Sequence, residues 1–348
     1  MIIHNWNVVC LDEAHQIKNR STQASICAMD LKAEHRVILT GTPVQNHLGE
    51  LWNLFQFINP GMLGTWSEFQ GKYMTGSQDD DSAQDLRDIT QPFILRRTKQ
   101  DVLDDLPDKI SHDRLVELSE EEMIAYEENR KRVESYLNAT KKARKGMVKV
   151  DFFAELTKLR LLSNSISLVY PDWTRESSKM KELKKLISLI SDEDNNRILI
   201  FSQFTSFLGQ IANELKGMGL DYLYLDGSTP LDKRQSQVEA FQRGDCPIFL
   251  ISLKAGGLGL NLTAANYVIM MDPWWNPAIE NQATDRAYRI GQDRNVTVIR
   301  LIAKHTIEEK ILQIHEVKQN LSDEILEGTS ESSKLTMDDI LEMVSPFR

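Results

Sequence analysis

The sequence predicts an α/β fold built on a doubly wound parallel sheet, and three observations predict it. Short runs rich in Val, Ile and Leu (RILIFS, IFLIS, YVIMMD, VTVIRLIA) recur through the C-terminal half. Each is apolar throughout, as strands buried on both faces are. Amphipathic stretches of helical period separate them, the alternation that gives a parallel sheet covered by helices.

Taken in order, the chain from Trp6 to about Phe57 reads strand, loop, strand, helix. NVVCLD and RVILTG are the two strands, and STQASICAMDLK between them is a crossover helix with Ser21 as its N-cap. Residues 47–74 read as helical, with Leu51, Leu54, Phe55 and Ile58 on one face. TGSQDDDSAQD reads as a loop. Residues 119–162 carry long helical patterns through Met123, Tyr126, Tyr136, Leu137, Phe153, Leu156 and Leu159, and read as a helical insertion outside any sheet. A second α/β unit starts near Lys179, where Met180, Leu183, Ile187 and Ile190 form one stripe. After it come RILIFS, SFLGQIANELKGM, YLYLDG, PLDKRQSQVEAFQ, IFLIS, YVIMMD, NPAIENQATDRAYR, VTVIRLIA and TIEEKILQIHEVKQ. The tail from Thr329 is polar until LTMDDILEMV, which reads as a last short helix.

The second unit has a full set of strands, whereas the first shows two. The expected division is therefore residues 1–110 as the remnant of a first lobe, 111–178 as a helical protrusion, 179–318 as a complete second lobe and 319–348 as a tail. On this reading the sequence begins inside a domain.

At 348 residues the chain has room for two domains, and 41% hydrophobic with 26% charged residues is ordinary for a globular protein. No apolar run is long enough to span a bilayer. Cys10, Cys27 and Cys246 lack zinc or disulfide spacing, which points to a reducing interior. The net charge of −10 is weak evidence against nucleic acid, because phosphate contact depends on local patches. One such patch, residues 129–150, holds eight Lys or Arg and one Glu. Its residues alone leave two readings open, a solvated helix face or a phosphate contact.

Four clusters bear on chemistry. Asp12 and Glu13 follow an apolar strand, where α/β folds open a ligand crevice. Asp12 there suits Mg²⁺ held through water, and Glu13 suits orienting or deprotonating an attacking water. A helix N-cap with a trailing acid is the alternative. The second cluster, LTGTPVQN, puts Thr40, Gly41 and Thr42 in the same crevice, although a plain strand-to-helix turn reads identically. In ISLKAGGLGLNLTAAN, Gly256, Gly257 and Gly259 allow close backbone approach to phosphate, with Lys254 adding charge. Finally, if NPAIENQATDRAYR is one helix, Gln282, Arg286 and Arg289 fall on one face and suit a polyphosphate.

DEAHQIKN, LTGTPVQN, FILRRTK, ILIFSQF, LDGSTPLDKR, SLKAGGLGLNLTAAN and DPWWNPAIENQATDRAYRIGQ occur in this order. Together they resemble the Swi/Snf-type ATPases, double-stranded-DNA translocases with two RecA-like lobes, over nearly the whole chain. DEAH-type RNA helicases differ, having a Gln-x-x-Gly-Arg-x-x-Arg pattern where this chain reads QATDRAYR. The resemblance implies ATP and Mg²⁺ as cofactors. It makes Asp12 the metal acid, Glu13 the catalytic acid, and Arg286 and Arg289 arginine fingers, with Gln282 and Gly257 at the nucleotide. Thr40, Gly41 and Thr42 would couple hydrolysis to lobe movement. Ser202, Gln203, Lys254, Gly256 and Trp275 would lie at or near the DNA-tracking face.

No G-x-x-x-x-G-K-[ST] phosphate loop occurs; the single Gly-Lys pair, Gly71-Lys72, is followed by Tyr73. The expectation is part of a DNA-dependent ATPase that does not turn over ATP alone, or alternatively a non-catalytic DNA- or protein-binding fragment. Expected partners are double-stranded DNA, a DNA-bound protein target and, through the incomplete first lobe, a second copy; no membrane is expected. FQFINPGMLG resembles bacterial members more than nuclear ones, which implies a cytoplasmic, nucleoid-associated location, with the nucleus as the alternative.

Overall fold

The computed structural model describes residues 4–41, 48–74, 80–97, 106–143, 149–191, 195–256, 259–275, 277–313 and 344–346. The described residues form two compact units that divide between residues 98 and 99, with 344–346 in the second.

In the first unit, β1 (Asn5–Leu11) and β2 (Lys32–Ile38) pair in parallel, with Leu11 opposite Ile38. The crossover helix Gln23–Met29 is capped by Thr22, one residue beyond the expected Ser21, whose hydroxyl instead donates to Asn19 at 2.8 Å. The helical stretch expected over 47–74 is two helices, Leu48–Ile58 and Trp66–Tyr73. Asn59-Pro60-Gly61 separates them, with Gly61 at φ +84°. Thr65 and Glu68 then form a reciprocal capping box that starts the second helix. The stretch expected as the loop TGSQDDDSAQD is corrected from residue 80 onward, where Asp80–Thr90 is helical. Its leading acids suit a helix N-terminus, and it is held by buried Leu86 and by Tyr73 donating to Asp85 at 2.6 Å.

The second unit contains a six-stranded sheet in the order β3-β8-β7-β4-β6-β5, parallel at every pairing. Here β4 is Ile198–Ser202, β5 Tyr222–Leu225, β6 Ile248–Ser252, β7 Tyr267–Met270 and β8 Val296–Ala303. β3 (Lys109–Val116) was not anticipated; it adds to β8 at the sheet edge. Alternate residues divide the core by face, as the pleat requires. Ile198, Ile200, Ile248 and Leu250 pack with the helices Ser178–Ser191 and Thr205–Gly217. Leu199, Phe201, Phe249 and Ile251 pack on the opposite face with Phe241 and Ala283. Burial on both faces accounts for the unbroken apolar strands.

The helices Glu120–Ala143 and Lys149–Asn164 belong to this second unit. Tyr126, Val133, Leu156 and Leu159 meet Ile307, Ile311 and Val344 in a cluster of their own. Only Val344 of the expected LTMDDILEMV helix is described; the rest of that stretch lies outside the described residues.

Candidate nucleotide and DNA site

Both acidic and hydroxyl motifs of the first unit leave the sheet side by side because β1 and β2 end in register. Leu39 N donates to Leu11 O at 2.8 Å, and Ala14 N donates to Leu39 O at 3.0 Å. Between these two bonds the chain turns sharply. Glu13 takes φ 51° and ψ 47°, a left-handed conformation that a non-glycine residue adopts at some cost. Asp12 Oδ1 accepts Glu13 N at 2.8 Å, and Glu13 Oε2 lies 3.2 Å from His15 Nδ1. The turn is braced from behind: buried Asn53 donates to Ile17 O at 2.5 Å and to Ser25 Oγ at 2.8 Å. Thr40 and Gly41 follow β2 directly, and Thr42 lies outside the described residues.

Asp12 is exposed, and no group of three metal-ligating side chains occurs among the described residues. An exposed carboxylate such as Asp12 fits Mg²⁺, which keeps several waters and takes its remaining ligands from phosphates.

In the second unit, β4, β6 and β7 run parallel, so Ser202–Gln203, Leu253–Gly256 and Met271–Trp275 emerge at one end of the sheet. That end is where open α/β sheets bind ligands. Lys254 is exposed on the short helix Leu253–Gly256, Gly256 ends that helix, and Gly257 lies outside the described residues. Ser202 departs from the expected DNA-facing role. It is fully buried, and its hydroxyl donates to Asp272 and accepts from Phe204 N at 3.0 Å. Gln203 N donates to the other Asp272 oxygen at 3.2 Å, so Ser202 and Asp272 tie the ends of β4 and β7 together.

The expected single face of Gln282, Arg286 and Arg289 is also corrected. The helix runs only over Pro277–Thr284, so Gln282 is on it and both arginines lie beyond its end. Turn bonds continue from there, Arg286 N to Ala283 O at 3.3 Å and Ala287 N to Thr284 O at 3.1 Å. Leu262 N donates to Arg286 O at 2.9 Å and Gln292 Nε2 donates to Ala287 O at 3.1 Å, so these carbonyls bond outside the helix. Arg286 is consequently buried to 9% exposure, while Arg289 is exposed.

A buried polar network under the strand ends was not anticipated. Arg160, from the helix Lys149–Asn164, donates to Gln203 Oε1 at 2.9 Å and to Pro273 O. Its guanidinium lies over the rings of Trp275, Phe204 and Trp274 at 5.0, 5.4 and 5.7 Å. Burial pushes Arg160 down, and the nearby charges of Asp272, Glu308 and Glu280 oppose that. Lys179 and Glu308, both fully buried, pair at 2.6 Å, and Lys179 also donates to Met271 O at 2.6 Å. Glu280 accepts Trp274 N at 2.6 Å, and burial pushes its carboxyl up to about 7. A signal for the network exists in the sequence: Arg160 follows Leu156 and Leu159 on an apolar helix face, and Lys179 shares a stripe with Leu183 and Ile187.

Residues 2–168 match the SNF2-related domain, and residues 178–291 match the helicase conserved C-terminal domain. The chain is 39% identical over 351 residues to a protein of Bacillus subtilis named as a putative ATP-dependent helicase/translocase, YwqA; the match covers 97% of this chain and 37% of that protein. It is 34% identical to human SWI/SNF-related matrix-associated actin-dependent regulator of chromatin subfamily A member 1, covering 98% of this chain and 34% of that protein. The chain thus spans about a third of the length of these curated relatives. Among solved structures it is similar to the Sulfolobus solfataricus SWI2/SNF2 ATPase core in complex with double-stranded DNA. That likeness has a TM-score of 0.54 and 34% identity, over 94% of this chain and 70% of the other. From its ordered strand-end motifs to its six-stranded parallel sheet, the chain belongs to the SWI2/SNF2 family.

Proposed function

We propose that this chain forms part of an ATP-dependent double-stranded-DNA translocase, contributing the DNA grip and arginine donors of the second lobe. The observation that carries the reading is the gathering of Gln203, Lys254, Gly256 and Trp275 at the C-terminal ends of parallel strands. Residues 1–110 are read as part of the first lobe, 111–178 as the helical protrusion, 179–318 as the second lobe and 319–348 as a tail, except that β3 (Lys109–Val116) joins the sheet of the second lobe.

In this reading Glu13 orients or deprotonates the attacking water, and Asp12 is the residue that would hold Mg²⁺. The metal supplies charge neutralisation on the phosphates. Arg286 and Arg289 donate to the γ-phosphate as charge develops there, with Gln282 and Gly257 beside the nucleotide. Thr40, Gly41 and Thr42 pass the state of that site to the lobes. The 348 residues hold no phosphate loop, so the chain alone grips DNA and does not turn ATP over. A DNA-bound protein target, self-association through the first unit, and a nucleoid location with the nucleus as alternative complete the proposal. Relatives from both a bacterium and a human are consistent with either location.

Binding of labelled duplex DNA, followed by fluorescence anisotropy across a salt series, tests the grip. Affinity is expected to fall on the order of tenfold or more between about 50 and 200 mM salt, as released counterions require. Salt-independent binding, or none at low salt, would overturn the reading.

A further inference from the structure

The far end of the sequence returns to the second unit at Val344. This residue is fully buried in a cluster with Tyr126, Val133, Leu156, Leu159, Ile307 and Ile311. Val344 is helical and Ser345 is not, so a helix ends there, and a helix end leaves carbonyls without intrahelical partners. Two cations from different elements take them. Arg130 Nη1 donates to Val344 O at 2.7 Å, and Lys310 Nζ donates to Ser345 O and, at 3.0 Å, to Ser345 Oγ. Positive groups are favourable at a helix C-terminus.

The receiving surface is held together by bonds of its own. Arg130 pairs with Glu127 and Glu134 of its own helix at 2.9 and 2.8 Å. Tyr126 Oη accepts Ile307 N at 2.7 Å, which joins the helix Glu120–Ala143 to the helical residues 307–313 that carry Lys310. Val344 itself adds one apolar side chain and a few hydrogen bonds, and segments held by few contacts open at low cost. The cluster also has a wall at the strand ends. Half-buried Trp275 packs against it, so Trp275 belongs both to the strand-end site and to the apolar cluster that Val344 fills.

We infer that the C-terminal segment around Val344 is an intramolecular latch: docked, it completes the apolar cluster against which Trp275 packs and strengthens the grip on duplex DNA; released, it weakens that grip. The inference rests on the proposed DNA-gripping function. The partner that this surface recognises is a short segment with an apolar side chain at a helix end, and the chain supplies it from its own C-terminus.

The test uses the full chain, its Val344→Lys variant and a synthetic peptide of residues 337–348. An ammonium beside Arg130 and Lys310 cannot enter the apolar cluster, so the variant leaves the docking surface open. Its added positive charge would by itself favour DNA, so a loss of affinity reports release. Fluorescein-labelled peptide at micromolar concentration is expected to bind Val344→Lys and not the wild type, whose own tethered segment competes at an effective concentration on the order of millimolar. Val344→Lys is expected to bind duplex DNA about two- to thirtyfold more weakly, the range over which coupled positions shift one another. Saturating unlabelled peptide should restore wild-type affinity, which a mere loss of stability would not allow. A peptide carrying Val344→Lys should neither bind nor restore. Should the Val344→Lys chain fail to fold, Val344→Ala takes its place, with capture and weakening in the same directions. Equal peptide binding by variant and wild type, unchanged DNA affinity in the variant, or a loss that the peptide does not reverse each overturns the inference alone. A wild type that binds no duplex DNA overturns the proposed function, and the latch with it.

Discussion

Lys179 and Glu308 are both fully buried and 2.6 Å apart, and each also meets the backbone, Lys179 at Met271 O and Glu308 at Ala303 N. Breaking such a pair strands a charge, whereas removing both members does not. Lys179→Met is expected to lower unfolding stability by about 3–5 kcal/mol, and adding Glu308→Leu to return part of it. Urea unfolding checks this; a double variant less stable than Lys179→Met would contradict it. Glu280 makes a pH prediction. Burial raises it to about 7, opposed by Trp274 N–H and Arg300 and reinforced by Asp272 and Asp113. Between the ordinary carboxylate range and that value, the folded protein holds a proton the unfolded chain has released. Stability therefore falls as pH rises through the window. Relative to Glu280→Gln, the wild type should lose on the order of 2 kcal/mol between about pH 5 and pH 8. Parallel stability–pH curves for the two proteins would contradict it.

At the scale of elements, the helix Trp66–Tyr73 depends on its reciprocal cap, in which Glu68 Oε2 accepts Thr65 N at 2.8 Å. Thr65→Ala should destabilise this helix by about 1 kcal/mol. Amide exchange should quicken over Trp66–Tyr73 and stay unchanged over Thr205–Gly217; equal effects in both would contradict a local cap. Element by element, what the sequence reveals follows burial. β4 and β6 are legible because every residue is buried, which leaves an apolar run with no other reading. β3 is not: as an edge strand with mostly exposed residues it reads KISHDRLV, without an apolar signature. Asp80–Thr90 is masked in the same way by its acids, with Leu86 as its buried anchor. The helix end at Thr284 has no Gly or Pro to mark it; past it, Arg286 O accepts from Leu262 N, a partner elsewhere in the chain. Strand-end motifs are local in sequence and could be read directly. Arg160 and Glu308 reach the site only through the fold.

For the whole molecule, a net charge of −10 does not oppose the proposed DNA role, since phosphate contact depends on local patches. Among the described residues the two units differ in how far their sheets are buried. The central strands of the six-stranded sheet, β4 and β6, are apolar and buried on both faces. The β1–β2 pair leaves Trp6, Val8, Val37 and Leu39 between 40% and 53% exposed. One unit thus holds a finished α/β core beside a strand-end site, while the other carries an acidic turn on a two-stranded sheet. The proposed function has this chain grip duplex DNA and carry the acid pair Asp12–Glu13 without turning ATP over. The most direct measurement is ATP turnover, with and without duplex DNA at low salt, for the wild type and for Glu13→Gln. The prediction is that DNA is bound in a salt-sensitive way and stimulates no turnover in either protein. DNA-stimulated hydrolysis by the wild type that vanishes in Glu13→Gln would contradict it, because the chain would then hold a complete catalytic site.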